Sequence, residues 1–251
     1  MKKKSIIAVR LITHPFIIAQ NNTMVKAKTK IKVDPAEAKE RLGKILPILK
    51  KTYPDAKIAL NWDNPWNLFV AVVLSAQCTD VRVNIVTKDL FKKYKSAQDY
   101  LDVDLEELQQ DIRSTGFYRN KAKNIRGAAE KILNDFGGTV PDTMDELLTL
   151  PGAGRKTANC ILGNAYGTPG ITCDTHVIRL SRRLGLSENK DPVKLEFDLM
   201  EIVPKKKFGG WTMFSHYIIF HGRNCCRARK PDCANCPLDK YCPSAHNPKL
   251  W

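Results

Sequence analysis

At 251 residues, 43% of them hydrophobic, the chain can bury a substantial core as one large domain or two smaller ones. No stretch approaches the roughly 18–20 unbroken apolar residues of a membrane span, so a membrane partner is not expected. Of the net charge of +15, eight units come from residues 1–33, which hold eight Lys/Arg and no acid; the remaining +7 still favours a polyanion such as nucleic acid.

Lys2-Lys3-Lys4 and the apolar run after them imitate an export signal, but Arg10 and His14 break the run and no small-residue cleavage site follows. Residues 1–33 are expected to be a disordered basic leader on an intracellular protein, with a functional start near Met24 and an organellar targeting role as open alternatives.

Beyond the leader, Leu42, Ile45, Leu46 and Leu49 recur at helical spacing over Pro35–Tyr53, with Asp34-Pro35 as cap and first turn and Pro47 as an expected bend. Trp66–Leu74 is apolar enough for a fully buried helix. It ends in the polar break Ser75–Asp80, before an amphipathic segment over Val81–Tyr94. Leu105–Ser114 fits a shorter helix closed by Gly116, and Lys121–Phe136 a longer one stopped by Gly137-Gly138. Further helices fit Thr143–Leu150, Thr157–Tyr166, Asp174–Leu184, Val193–Val203 and Trp211–Phe220. No alternating strand pattern occurs, and the expected fold class is all-α.

Between the two central helices lies Leu150-Pro151-Gly152-Ala153-Gly154-Arg155-Lys156-Thr157-Ala158-Asn159. Gly152 and Gly154 permit a tight turn that exposes backbone N–H groups, and a helix start next to it favours phosphate. Arg155 stands where a Walker A loop needs glycine, and Thr157 where a dinucleotide fingerprint does, so neither motif applies. Lys156 sits in the first helical turn, where the dipole disfavours a cation and so favours the neutral, nucleophilic amine. Asp174 is an N-cap by its place before Thr175-His176-Val177, and it can also face a lysine at a neighbouring helix start. His176 is either a third polar contact or a satisfied core histidine. Gln77 and Phe117-Tyr118 fall in breaks between helices, where they either reach into a base stack or pack on the next helix, with packing the favoured reading.

Five of the eight cysteines lie between residues 225 and 242. Cys226-x6-Cys233-x2-Cys236-x5-Cys242 puts four thiols in one short loop, a pattern of metal or cluster ligation compatible with zinc and with iron–sulfur. Cys225 is read as a bystander. Arg227, Arg229 and Lys230 lie between the first two ligands and make the loop cationic.

With these segments assembled, the chain resembles the endonuclease III family, the bifunctional DNA glycosylases of the helix-hairpin-helix (HhH-GPD) superfamily. The resemblance rests on Leu150–Asn159, Asp174-Thr175-His176, His221-Gly222-Arg223, the four-cysteine spacing, and Leu74-Ser75-Ala76-Gln77 with Thr79-Asp80, and it spans roughly residues 36–245. It implies a six-helix domain at 58–168 carrying the hairpin, and a discontinuous cluster domain from 34–57 plus 169–251, with the active-site cleft between them. It implies a base-excision enzyme on double-stranded DNA with a damaged base or abasic site: Lys156 would attack C1′ of a flipped nucleotide, Asp174 would assist, and β-elimination would nick the strand 3′ of the lesion. Cys226, Cys233, Cys236 and Cys242 would hold a [4Fe-4S] cluster. The amides of Gly152 and Gly154 would hold phosphate, and Gln77 and Phe117 would fill the gap left by the flipped base. Phe117 departs from the family's usual aliphatic wedge. Tyr118, Arg155, Arg227, Arg229 and Lys230 complete the expected DNA-facing set. Lys156 favours oxidised pyrimidines as substrates and a monomer is expected; a mismatch (uracil/thymine) glycosylase and a non-catalytic, redox-sensing DNA-binding module are the alternatives.

Overall fold

In the computed structural model, which describes residues 31–250, each apolar stretch of helical period forms a helix, and no strand occurs among the described residues. Expectations placed on residues 1–30 lie outside the described residues. Of the leader's remaining residues, Val33 is tied down, its N–H donating to Glu188 Oε1 at 3.0 Å.

Helix α1 (Pro35–Thr52) starts where Asp34 accepts hydrogen bonds from the N–H groups of Ala36 and Glu37, and ends with Lys50 and Lys51 against its C-terminal dipole. It runs on through Pro47, which sits on the exposed side. Helix α2 (Pro65–Leu74) buries every residue from Trp66 to Leu74, as a helix apolar all round must. Helix α3 (Asp80–Lys93) is capped by Thr79. Helix α4 (Ala97–Asp102) was not foreseen: six residues are too few to show a period, although the Ser96/Asp99 capping box marks its start. Helix α5 (Leu105–Asp111) is shorter than expected, because the chain tightens into a 3-10 turn over Arg113–Thr115 before Gly116. Helix α6 (Tyr118–Asp135) begins three residues before the expected Lys121. Helices α7 (Met144–Leu147) and α8 (Arg155–Ala165) flank the glycine turn. Helices α9 (Thr175–Arg183), α10 (Pro192–Ile202) and α11 (Gly210–Asn224) follow, the last running four residues past the expected end.

These helices bury two separate hydrophobic cores. One forms around α2 from α3 to α8, from Leu60 to Leu162. The other joins Ala38, Leu42, Ile45, Leu46 and Leu49 of α1 to α9, α10, α11 and Leu238. At about 1.5–3 kcal/mol for each fully buried Leu, Ile, Val or Phe, each core supplies a driving force of its own. A cleft opens where the two meet. No helix among the described residues is long and apolar enough to cross a membrane.

Candidate active site

The glycine turn uses its two glycines differently. Gly152 has φ +84°, the left-handed region, and a Cβ there would stand 3.1 Å from Asn124 Cβ. Gly154 has φ −92° and ψ 173°, open to any residue, and no heavy atom lies within 4 Å of where its Cβ would be. Nothing inside the chain requires glycine at 154. Gly154 caps α8 without a side chain, and the N–H groups of Gly152 and Gly154 have no hydrogen-bond partner among the described residues. Unpaired amides and a helix start together form a seat for an anion.

One turn into α8, Lys156 is exposed, and its amine has no hydrogen bond or ion pair among the described residues. It lines the cleft between the cores, about 600 Å³ in volume, together with Asp174, Asp80, Ser75, Cys160 and Arg223. Asp174 caps α9 through a single oxygen: Oδ1 accepts the N–H groups of His176 and Val177, both at 2.8 Å, leaving Oδ2 without a partner. The structural and the chemical readings of Asp174 thus coexist on its two oxygens. Its approach segment is braced by Asn159 Nδ2, which donates to Ile171 O, and by Ser215 Oγ, which accepts the Thr172 N–H. Cys160 lies one helical turn beyond the lysine. Burial pushes its thiol up to about 11, with Lys156 pulling the other way, so it is no nucleophile at neutral pH.

A second cleft, about 640 Å³, is lined by Gln77, Phe117, Asn120, Lys121, Asn124, Gly152 and Thr157. Both gap-filling candidates therefore stand with the phosphate seat. Each occupies the left-handed region, at φ 53° for Gln77 and 49° for Phe117, a conformation that costs of order 1–3 kcal/mol. Phe117 is 64% exposed, so the packing reading fails for it. That reading holds for Tyr118, which is half-buried against the first core.

Among the cations, Arg227, Arg229 and Lys230 are exposed on the cysteine loop. Arg155 is engaged instead: Nε and Nη2 meet buried Glu196 at 2.8 and 2.9 Å, and the guanidinium lies 5.0 Å from the centre of the Phe197 ring. It ties α8 to α10 across the two cores. His176 is half-buried beside α11, where a Cβ on Gly222 would come within 2.7 Å of its Nδ1.

Cys226, Cys233, Cys236 and Cys242 all line one cavity of about 340 Å³, with Cys225 and His221 in its wall. His221, Cys225 and Cys236 bring ligand atoms within 4.8 Å of one another, a group able to hold a metal ion. Only Cys236 of the four expected ligands belongs to that group. Five thiols and an imidazole facing one cavity are a donor set suited to a metal or an iron–sulfur cluster. Two arginines of α9 bind the loop: Arg179 Nη2 donates to Gly222 O and Cys226 O, and Arg183 donates to Arg227 O, Ala228 O and, at 3.3 Å, Cys226 Sγ.

Residues 70–205 match the model of the HhH-GPD superfamily base excision DNA repair proteins. The chain is 53% identical over 211 residues to endonuclease III of Synechocystis sp., covering 84% of this chain and 95% of that one. The chain belongs to the endonuclease III family. Two solved structures, a non-covalent endonuclease III–DNA complex and a trapped endonuclease III–DNA covalent intermediate, each superpose with a TM-score of 0.78 at 46% identity, covering 82% of this chain and 96% of theirs.

Several side chains that shape the site escaped the sequence reading. Arg223 Nη2 bonds Asp80 Oδ2 at 2.6 Å, and His216 Nε2 meets Asn164 Oδ1 at 3.1 Å beneath the cleft. Buried Lys121 donates to two backbone carbonyls. All but Lys121 pair residues more than 50 positions apart, beyond any local pattern. Polar residues on otherwise apolar helix faces were the available signal: Lys121 on α6, Arg183 on α9 and His216 on α11.

Proposed function

We propose that this chain is a base-excision DNA glycosylase with AP lyase activity that removes oxidised pyrimidines through a Schiff base on Lys156. The observation that carries the reading is the unpaired Lys156 amine in one cleft with the free Oδ2 of Asp174. Oδ2 can accept the amine proton and then face the sugar cation as the base departs. Attack of Nζ on C1′ expels the base and gives an imine; loss of a C2′ proton then breaks the 3′ C–O bond. Cleavage on the 3′ side follows.

In this reading 58–168 forms the helix-hairpin-helix domain and 34–57 plus 169–251 a discontinuous one, a division that the separate burial of the two cores supports. DNA lies along the unpaired amides of Gly152 and Gly154, with Gln77 and Phe117 entering the gap and Arg227, Arg229 and Lys230 on the backbone. Cys226, Cys233, Cys236 and Cys242 hold a [4Fe-4S] cluster, which supplies structural cross-linking of the cationic loop. No disulfide joins the eight cysteines among the described residues, which suits an intracellular protein, and the chain acts as a monomer.

Borohydride trapping on a duplex with one thymine glycol tests the reading, with wild type and Lys156→Gln in parallel. A covalent adduct with wild type alone is expected. Cleavage of abasic DNA without action on thymine glycol would redirect the base specificity toward mismatched uracil or thymine. No adduct on either DNA would leave a non-catalytic DNA-binding module.

A further inference from the structure

Lys121 is 4% exposed, yet it carries an ammonium group with no acidic partner among the described residues. Its Nζ donates to Leu74 O at 2.8 Å and to Thr115 O at 2.9 Å. Leu74 is the last residue of α2, three before Gln77; Thr115 is the last of the 3-10 turn, two before Phe117. Both carbonyls lie where a helix ends and its acceptors lose their intrahelical donors. Both segments then enter left-handed residues, Gln77 and Phe117, with Gly116 at φ 71° and ψ 158° between the second carbonyl and its side chain. Gln77, Phe117 and Lys121 line the same cleft.

We propose that Lys121 is a positioning residue that clamps the Gln77 loop to the Phe117 loop, fixing the distance between the two side chains that enter opened DNA. The inference rests on the functional reading above and deepens it. One ammonium with three donors is the smallest group that can hold two carbonyls from separate segments at once, and the burial that makes its charge costly also makes these bonds strong. The nearest polar alternatives on the cleft wall, Asn120 and Asn124, bond neither carbonyl. Without the clamp each loop keeps its own turn, but nothing sets their separation.

The test replaces Lys121 by Met, which keeps length and removes the donors, and compares two substrates. Excision from duplex DNA requires the opened stack to be held; cleavage of an abasic nucleotide in single-stranded DNA has no opposing base to hold. Duplex excision is expected to fall about 10- to 100-fold, the scale of a misplacement near 1 Å, with single-strand cleavage unchanged. A 2-aminopurine opposite the lesion should brighten with wild type and stay quenched with the variant. Adding Phe117→Ala should cost little more, since the wedge is already misplaced. Equal loss on both substrates, or unchanged duplex excision, would overturn the proposal. Should the methionine variant not fold, Lys121→Leu, which likewise has no donor, carries the same comparison; if neither folds, the lysine is a core requirement and the proposal fails. Inactivity of the wild type on the lesion would count against the proposed function instead.

Discussion

Arg223 in the last turn of α11 meets Asp80 in the first turn of α3, Nη2 to Oδ2, at 2.6 Å. The pair joins the two cores at one wall of the catalytic cleft, as Arg155 with Glu196 joins them through the hairpin helix. Asp80 and Arg223 are both partly exposed, so their bond contributes little to stability, about 1 kcal/mol or less. Arg223→Ala should therefore leave thermal unfolding nearly unchanged while lowering single-turnover cleavage of abasic DNA, because Asp80 would stand as an uncompensated anion beside Lys156. A large drop in melting temperature with normal chemistry would contradict this.

The other cross-link is asymmetric. Glu196 is buried and Arg155 is about a third exposed. Arg155→Ala strands a buried carboxylate and should cost about 3 kcal/mol in urea unfolding, whereas Glu196→Gln frees an arginine that can turn to water and should cost less. Because Arg155 spends its charge on Glu196, its loss should leave the salt dependence of DNA binding unchanged. Replacing Arg227, Arg229 and Lys230 by Ala should flatten the slope of log K against log salt by about 0.9 for each phosphate contact removed. A flatter slope from Arg155→Ala would mean that the guanidinium leaves Glu196 when DNA binds.

The glycine turn offers a separation of folding from binding. Gly152→Ala forces a side chain into φ +84° against Asn124 and should destabilise by about 1 kcal/mol or more. Gly154→Ala meets neither strain nor contact and should fold as well as wild type. It should nonetheless weaken DNA binding, since the new methyl occupies the space a phosphate needs. Equal affinities for Gly154→Ala and wild type would show that DNA does not approach there.

His216 gives the cleft a pH signature. Burial holds its pKa down to about 4, against 6.5 for the free imidazole. Between those values the unfolded chain takes up a proton that the folded chain refuses. Stability is therefore full above about pH 6.5 and declines as pH falls toward about 4, by up to about 3 kcal/mol. His216→Gln, which can still donate to Asn164 Oδ1, should flatten that decline in acid titrations of folding.

Helices with three or more apolar repeats were legible from sequence, because periodicity is local. The four-cysteine spacing and the glycine turn were legible because they too are short-range. What sequence could not reveal were partners fixed by packing: Arg155 looked like a free cation until Glu196, 41 positions on, came under it. Phe117 looked like a core aromatic because its exposure follows from one backbone dihedral.

Helix α1 is made before α2–α8, yet its leucines lie in the core completed by residues up to Leu238. The seven helices α2–α8 can bury Leu60–Leu162 among themselves as soon as α8 emerges. Until α9, α10, α11 and Leu238 emerge, α1 carries an unpartnered apolar face on the outside of an already folded body, a window in which aggregation competes with completion. The emergence of α11 and Leu238 releases the last step of folding.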